Sequence, residues 1–219
     1  MTMRILFKTI VAALLCLAPV MAQAADRPIR ILAFGDSLTQ GYGVPPGDDF
    51  PDVLQHALNA KGLNVTVINA GVSGDTSAGG LARLDWSLED AKNPPDAAIL
   101  ELGANDGLRG LPVEDMAKNL DTMLARFKAR GIPVLLAGMK APRNYGDAYA
   151  KKFDAVYPQL AKKYGVLLYP FFLDGVALNA NLIQADGLHP NPKGVEVIVG
   201  KMVPMVTRLV EEAKEKHAS

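Results

Sequence analysis

The sequence predicts an α/β domain, a three-layer αβα sandwich around a five-stranded parallel sheet. Three observations point there. Five short runs are apolar almost throughout, longer amphipathic segments separate them, and clusters of glycine, serine, asparagine, aspartate and histidine follow the runs.

The apolar runs are Ile29–Phe34, Val65–Asn69, Ala97–Leu102, Pro133–Gly138 and Val166–Tyr169. They do not alternate apolar with polar residues, which is how strands covered on both faces of a parallel sheet read. The segments between them, Phe50–Ala60, Ser77–Glu89, Val113–Arg130 and Asp147–Tyr164, predict helices, and Lys193–Lys216 predicts a last one. In Val113–Arg130 the apolar residues Met116, Leu120, Met123, Leu124 and Phe127 fall on one helical face, with Pro112 suited to the start and Gly131 to the stop. Strand and helix in regular alternation build a parallel sheet with helices on both sides.

In such a sheet every loop leaving the C-terminal end of a strand emerges on one edge, where ligands bind. That edge receives Gly35-Asp36-Ser37 after the first strand, "NAGVSGDTSAGG" (69–80) after the second and "GANDGLRG" (103–110) after the third. After the fifth comes "DGLHPN" (186–191).

The start of the chain reads as a targeting leader. Arg4 and Lys8 precede an uncharged apolar run from Ile10 to Met21, and Ala22-Gln23-Ala24 fits the small-residue cleavage rule. The run is shorter than the ~20 residues that span a bilayer, so no stable membrane anchor is expected. Cys16 follows Leu15 rather than a small residue, which argues against lipidation. Cleavage after Ala24 would deliver residues 25–219 to the periplasm or the medium. This mature chain of roughly 195 residues suits one domain. Cys16, the single cysteine, leaves with the leader, so the fold must stand without disulfides. Lysine plus arginine and aspartate plus glutamate number 23 each in the whole chain, with no basic stripe, and nucleic acid is not an expected partner.

Serine needs a base to become a nucleophile, and histidine is the usual one near neutrality. Of the three histidines, His217 lies in the polar tail and His56 on an amphipathic helix. His189 stands on the rim, three residues after Asp186 across Gly187, and Pro190 biases it toward extended backbone. Asp186 is placed to orient His189, although Asp-Gly and His-Pro are also ordinary turn pairs. Ser37 and Ser73 both compete for the nucleophile. Gly71-Val72-Ser73-Gly74-Asp75 misses the G-x-S-x-G elbow at its last position, and Ser37 misses it too. Without a lysine between Arg30 and Lys61, the glycines of the first loop do not form a Walker phosphate loop. Gly74 can present a backbone N–H and Asn105 a side-chain amide to an oxyanion. Each also reads as plain turn chemistry.

At these residues "FGDSLTQGYG", "INAGVSGDTSAGGLARL", "ELGANDGLRG" and "DGLHPNPKG" resemble, in order and spacing, the four blocks of the SGNH or GDSL hydrolases. The likeness is nearest to their bacterial periplasmic thioesterase, lysophospholipase and arylesterase branch. It implies a flavodoxin-like sheet and serine-dependent hydrolysis of carboxylic esters and thioesters. By position it assigns Ser37 as nucleophile and Asp186 with His189 as the rest of a triad. Gly74 and Asn105 become oxyanion donors beside the Ser37 N–H. Ala104 stands where relatives often carry glycine.

The expected partner is a small acyl ester or thioester, with neither cofactor nor metal. Two other readings compete: a metal-dependent phosphoesterase using Asp36, Asn105, Asp106, Asp186 and His189, and a non-catalytic lipid- or carbohydrate-binding protein on the same fold. For an acyl chain, the walls expected are Leu108 and Leu111, with Pro142 and Tyr145 from the Met139–Tyr145 loop. The competing view has the two leucines packed inward as core.

Overall fold

A computed structural model describes residues 27–89 and 94–218, with the backbone alone at 217 and 218. The expected leader and the His217 side chain lie outside what is described.

The elements run β1 (Ile29–Gly35), α1 (Ser37–Gln40), α2 (Phe50–Asn59), β2 (Val65–Gly71), α3 (Ser77–Leu88), β3 (Ala97–Glu101) and α4 (Ala104–Leu108). There follow α5 (Val113–Ala129), β4 (Val134–Ala137), α6 (Asp147–Asp154), α7 (Val156–Tyr164), β5 (Leu167–Tyr169) and α8 (Pro192–Ala218). The sheet is β2-β1-β3-β4-β5, parallel at every pairing, which is the flavodoxin-like order. Helices α2 and α8 pack together as one layer, and α3, α5 and α7 form the other.

Burial follows the sequence pattern. Every residue of β3 and β4 is buried, as strands covered on both faces must be. In α5 the five periodic residues Met116, Leu120, Met123, Leu124 and Phe127 are all buried. Pro112 occupies its N-cap and Gly131, at φ +68°, lies just beyond its end. Asp49 caps α2 by accepting from the Asp52 N–H.

The single helix expected over Asp147–Tyr164 is instead two, broken at Ala155. Pro158 explains the break: it has no N–H to give the Asp154 carbonyl four residues back, and its ring clashes there. Ending α6 at Asp154 and restarting at Val156 puts Pro158 in a first turn, where its missing donor costs nothing. The frayed Asp154 is put to use, since its Oδ1 accepts the Ala141 N–H at 3.0 Å and steadies the loop after β4.

Candidate active site

The strands β1 and β3 stop side by side, with Gly35 in register with Glu101. Asp36 then caps the short α1, accepting the Leu38 N–H at 3.0 Å, which sets Ser37 as the first residue of a helical turn at the sheet edge. Gly35 has to be glycine. A β-carbon there would lie 2.1 Å from Thr39 Oγ1 and 2.7 Å from the Glu101 carbonyl oxygen.

The remaining site residues come from the other end of the chain. Asp186 Oδ1 accepts the N–H groups of Leu188 (2.9 Å) and His189 (3.1 Å), closing a tight turn. Its Oδ2 lies 2.6 Å from His189 Nδ1, and His189 Nε2 lies 2.9 Å from Ser37 Oγ. The Leu188 N–H, with the other donors of the turn, draws the Asp186 carboxyl down to about 2. It is therefore an anion at any neutral or mildly acidic pH. Facing Nδ1, it favours the tautomer that leaves Nε2 free to accept from Ser37.

Gly74, at φ +83°, and Asn105 converge on the same edge. Among the described residues neither the Ser37 nor the Gly74 N–H has an acceptor. Asn105 Nδ2 donates to the Asp75 carbonyl at 2.9 Å and to Asp36 Oδ2 at 3.1 Å. Ser73, the rival serine, is exposed and hydrogen-bonds Gln40 Oε1, with no contact to His189. His56 is exposed on α2, away from the site.

Of the residues named for a metal site, Asp36, Asn105 and His189 line the cleft beside Ser37, whereas Asp106 is engaged elsewhere. Asp106 is buried and accepts both the Ser77 N–H (2.7 Å) and the Ser77 hydroxyl (2.6 Å), tying α4 to the start of α3. Asn119 completes that knot by donating to Ser77 Oγ at 3.0 Å. Among the described residues no three His, Cys, Asp or Glu lie close enough to share a metal ion.

Beside Ser37 opens a cleft of about 680 Å³. Leu108, Met139, Pro142, Phe171 and Ile183 are among its apolar lining. Two expected walls differ from the sequence reading: Leu111 and Tyr145 are not among the lining residues. Tyr145 instead packs on Gly110 and donates to the Leu108 carbonyl at 3.0 Å, and Tyr149 holds the Leu111 carbonyl at 2.9 Å. Those two tyrosines brace the loop, leaving Leu108 and Pro142 as the expected residues that do line the cleft.

Several contributors escape the sequence reading. Glu101, fully buried, accepts from Thr39 Oγ1 at 2.7 Å and from the Asp36 N–H at 3.3 Å, while its Oε1 has no partner among the described residues. Burial first, and the charge of Asp36 second, push its carboxyl well above the usual range. Gln184 Nε2 donates to both the Tyr42 and the Pro190 carbonyls at 2.8 Å, joining the loop after Ser37 to the loop that carries His189. The Tyr42 ring rests 4.6 Å from the His189 ring. A lone glutamate closing the apolar run Ala97–Glu101 was the one visible signal. Gln184 carries none.

Fold and edge together define a doubly wound α/β protein with Ser37, His189 and Asp186 gathered at the strand ends of its sheet. The sequence pattern of the GDSL-like lipase/acylhydrolase family matches residues 33–197, and the chain belongs to that family. It is 38% identical over 197 residues to an arylesterase of Vibrio mimicus, covering 90% of this chain and 94% of that one. It is 39% identical over 189 residues to thioesterase 1/protease 1/lysophospholipase L1 of Escherichia coli K12, covering 86% and 87%. The solved structure of AlinE4, an SGNH-hydrolase family esterase, is 47% identical and superposes with a TM-score of 0.72, covering 83% of this chain and 96% of that one. The protein is accordingly an enzyme, a hydrolase acting on ester bonds.

Proposed function

We propose that this chain hydrolyses carboxylic esters and acyl thioesters through an acyl-enzyme formed on Ser37. The observation carrying the reading is the unbroken line from Ser37 Oγ to His189 Nε2 at 2.9 Å and from His189 Nδ1 to Asp186 Oδ2 at 2.6 Å.

In this reading Ser37 Oγ attacks the acyl carbon while its proton passes to His189 Nε2, and the Asp186 anion stabilises the imidazolium. The oxyanion is held by the N–H groups of Ser37 and Gly74 and by Asn105, which turns one amide hydrogen toward it from Asp36 or Asp75. The imidazolium then protonates the departing alcohol or thiol as the C–O or C–S bond breaks. Water enters, gives a proton back to His189 and attacks the ester carbon, releasing the acid and restoring the Ser37 hydroxyl. The apolar cleft takes the acyl chain, which favours medium-length chains over acetyl because each buried methylene adds ~0.8 kcal/mol. The enzyme works outside the cytoplasm after losing residues 1–24, so the exported protein begins at Ala25 on N-terminal sequencing.

Ser37→Ala is the direct test. Hydrolysis of p-nitrophenyl esters and acyl thioesters falls at least ~10⁴-fold, labelling by a serine-directed organophosphonate stops, and the melting temperature holds. Retained turnover in Ser37→Ala, with loss in Ser73→Ala, refutes the assignment.

A further inference from the structure

We infer that Arg83 is a positioning residue for the oxyanion site, a role that rests on the reading of Ser37, Gly74 and Asn105 as its donors. Arg83 sits on α3, within the second block but not among the residues assigned to the reaction, and touches none of the atoms assigned to it. What it touches are the segments that carry them.

Its Nη2 donates at 2.8 Å to the carbonyl of Gly35, two residues before Ser37. Its Nε donates at 2.6 Å to Oδ2 of Asp75, the residue after Gly74. The carbonyl of the same Asp75 is where Asn105 anchors its amide at 2.9 Å. One guanidinium thus spans the nucleophile turn and the Gly74 turn, and through Asp75 it reaches the third donor. The three turns leave three different strands and share no backbone ladder past the sheet edge, apart from the Val72 N–H on the Gly35 carbonyl at 3.1 Å.

The surroundings make the bridge rigid. The guanidinium carbon lies 4.1 Å over the Phe34 ring, and the side chains of Arg83 and Asp75 are only 20% and 16% exposed. Gly79 is part of the same fitting, since a β-carbon there would lie 2.7 Å from Asp75 Oδ1. A planar fork with donors at fixed angles can serve two acceptors on different turns at once. A lysine is a point charge with three rotatable donors on a flexible stem, and it does not hold two acceptors at the fixed angles of the fork.

Donor spacing matters most where negative charge develops on oxygen, so losing the bridge lowers kcat and leaves substrate binding largely alone. We expect Arg83→Met to reduce kcat ~10- to 100-fold on a p-nitrophenyl ester, with KM changed less than ~3-fold. Arg83→Lys keeps a charge beside Asp75 without the second bond and falls in between. Asp75→Asn resembles Arg83→Met, and combining the two adds little.

The deciding measurement is the cycle of Arg83→Met with Asn105→Ala. If Arg83 acts through the donors, its substitution costs several-fold less once Asn105 is gone. Equal losses in both backgrounds, or a kcat within ~2-fold of wild type for Arg83→Met, overturn the inference. Should Arg83→Met not fold, Arg83→Lys carries the same cycle and the same two outcomes. An Asn105→Ala variant with wild-type kcat refutes the underlying oxyanion reading instead, whatever Arg83 does.

Discussion

Asp36 is a buried carboxyl next to Ser37, and its effect on stability can be worked out in sign and size. Burial, opposed by the Leu38 N–H and the Asn105 amide, lifts its pKa from 3.8 to about 6. The folded chain therefore keeps a proton that the unfolded chain releases between about pH 4 and pH 6. Stability is fully retained below that window and declines as pH rises through it. From 3.8 to about 6, at ~1.4 kcal/mol per pH unit, the decline amounts to about 3 kcal/mol. Glu101, raised by its own burial, acts in the same direction. Asp186, drawn down to about 2, acts in the opposite direction but below about pH 4, so the two effects separate on the pH axis. Asp36→Asn removes the ionisation. It keeps the bond from Leu38 N–H but sets an amide against the Asn105 amide, at a cost of about 1–2 kcal/mol. Urea unfolding at 25 °C should then find the variant about 1–2 kcal/mol less stable than wild type near pH 4 and about as much more stable near pH 7. Its kcat falls, because Asn105 loses one of its two anchors. Parallel stability curves for the two proteins between about pH 4 and pH 7 would show that Asp36 is not titrating there and refute the reasoning.

Gln184→Leu should lower kcat about 10-fold and stability by about 2 kcal/mol, since two side-chain hydrogen bonds between the nucleophile and histidine loops are lost. Steady-state kinetics beside urea unfolding check this, and unchanged kcat with reduced stability would make Gln184 a structural brace only. Leu108→Ala should reduce kcat/KM for octanoyl esters ~10-fold more than for acetyl esters, because Leu108 alone of its loop's two leucines lines the cleft. A chain-length profile settles it, and an unaltered ratio, or a wild-type preference for acetyl, defeats it.

The sheet was legible because its strands are covered on both faces, so residues 97–100 and Val134–Ala137 read as unbroken apolar runs. Ser37, Gly74, Asn105, Asp186 and His189 were legible for a different reason: their loops carry glycine, asparagine and proline in an order that ordinary turns do not repeat four times. The break at Ala155 was missed because helical periodicity continues through it and only Pro158 marks the register change. Arg83, Gln184 and Glu101 act through partners 48, 142 and 62–65 residues away, and nothing local encodes such pairings. Leu111 and Tyr145 were misplaced because a loop's alternation does not say which side chain turns toward the cleft.

Ser37 and His189 meet across 152 residues, and the clamp from Gln184 to Tyr42 spans nearly as far. On the ribosome the serine is therefore made early and its base almost last. In the proposed reading, a nascent chain halted between residues 105 and 189 carries the serine and the three oxyanion donors but no means of deprotonating that serine. In that reading hydrolysis begins only once the two ends have found each other, which makes turnover itself a reporter of complete, correctly closed chains.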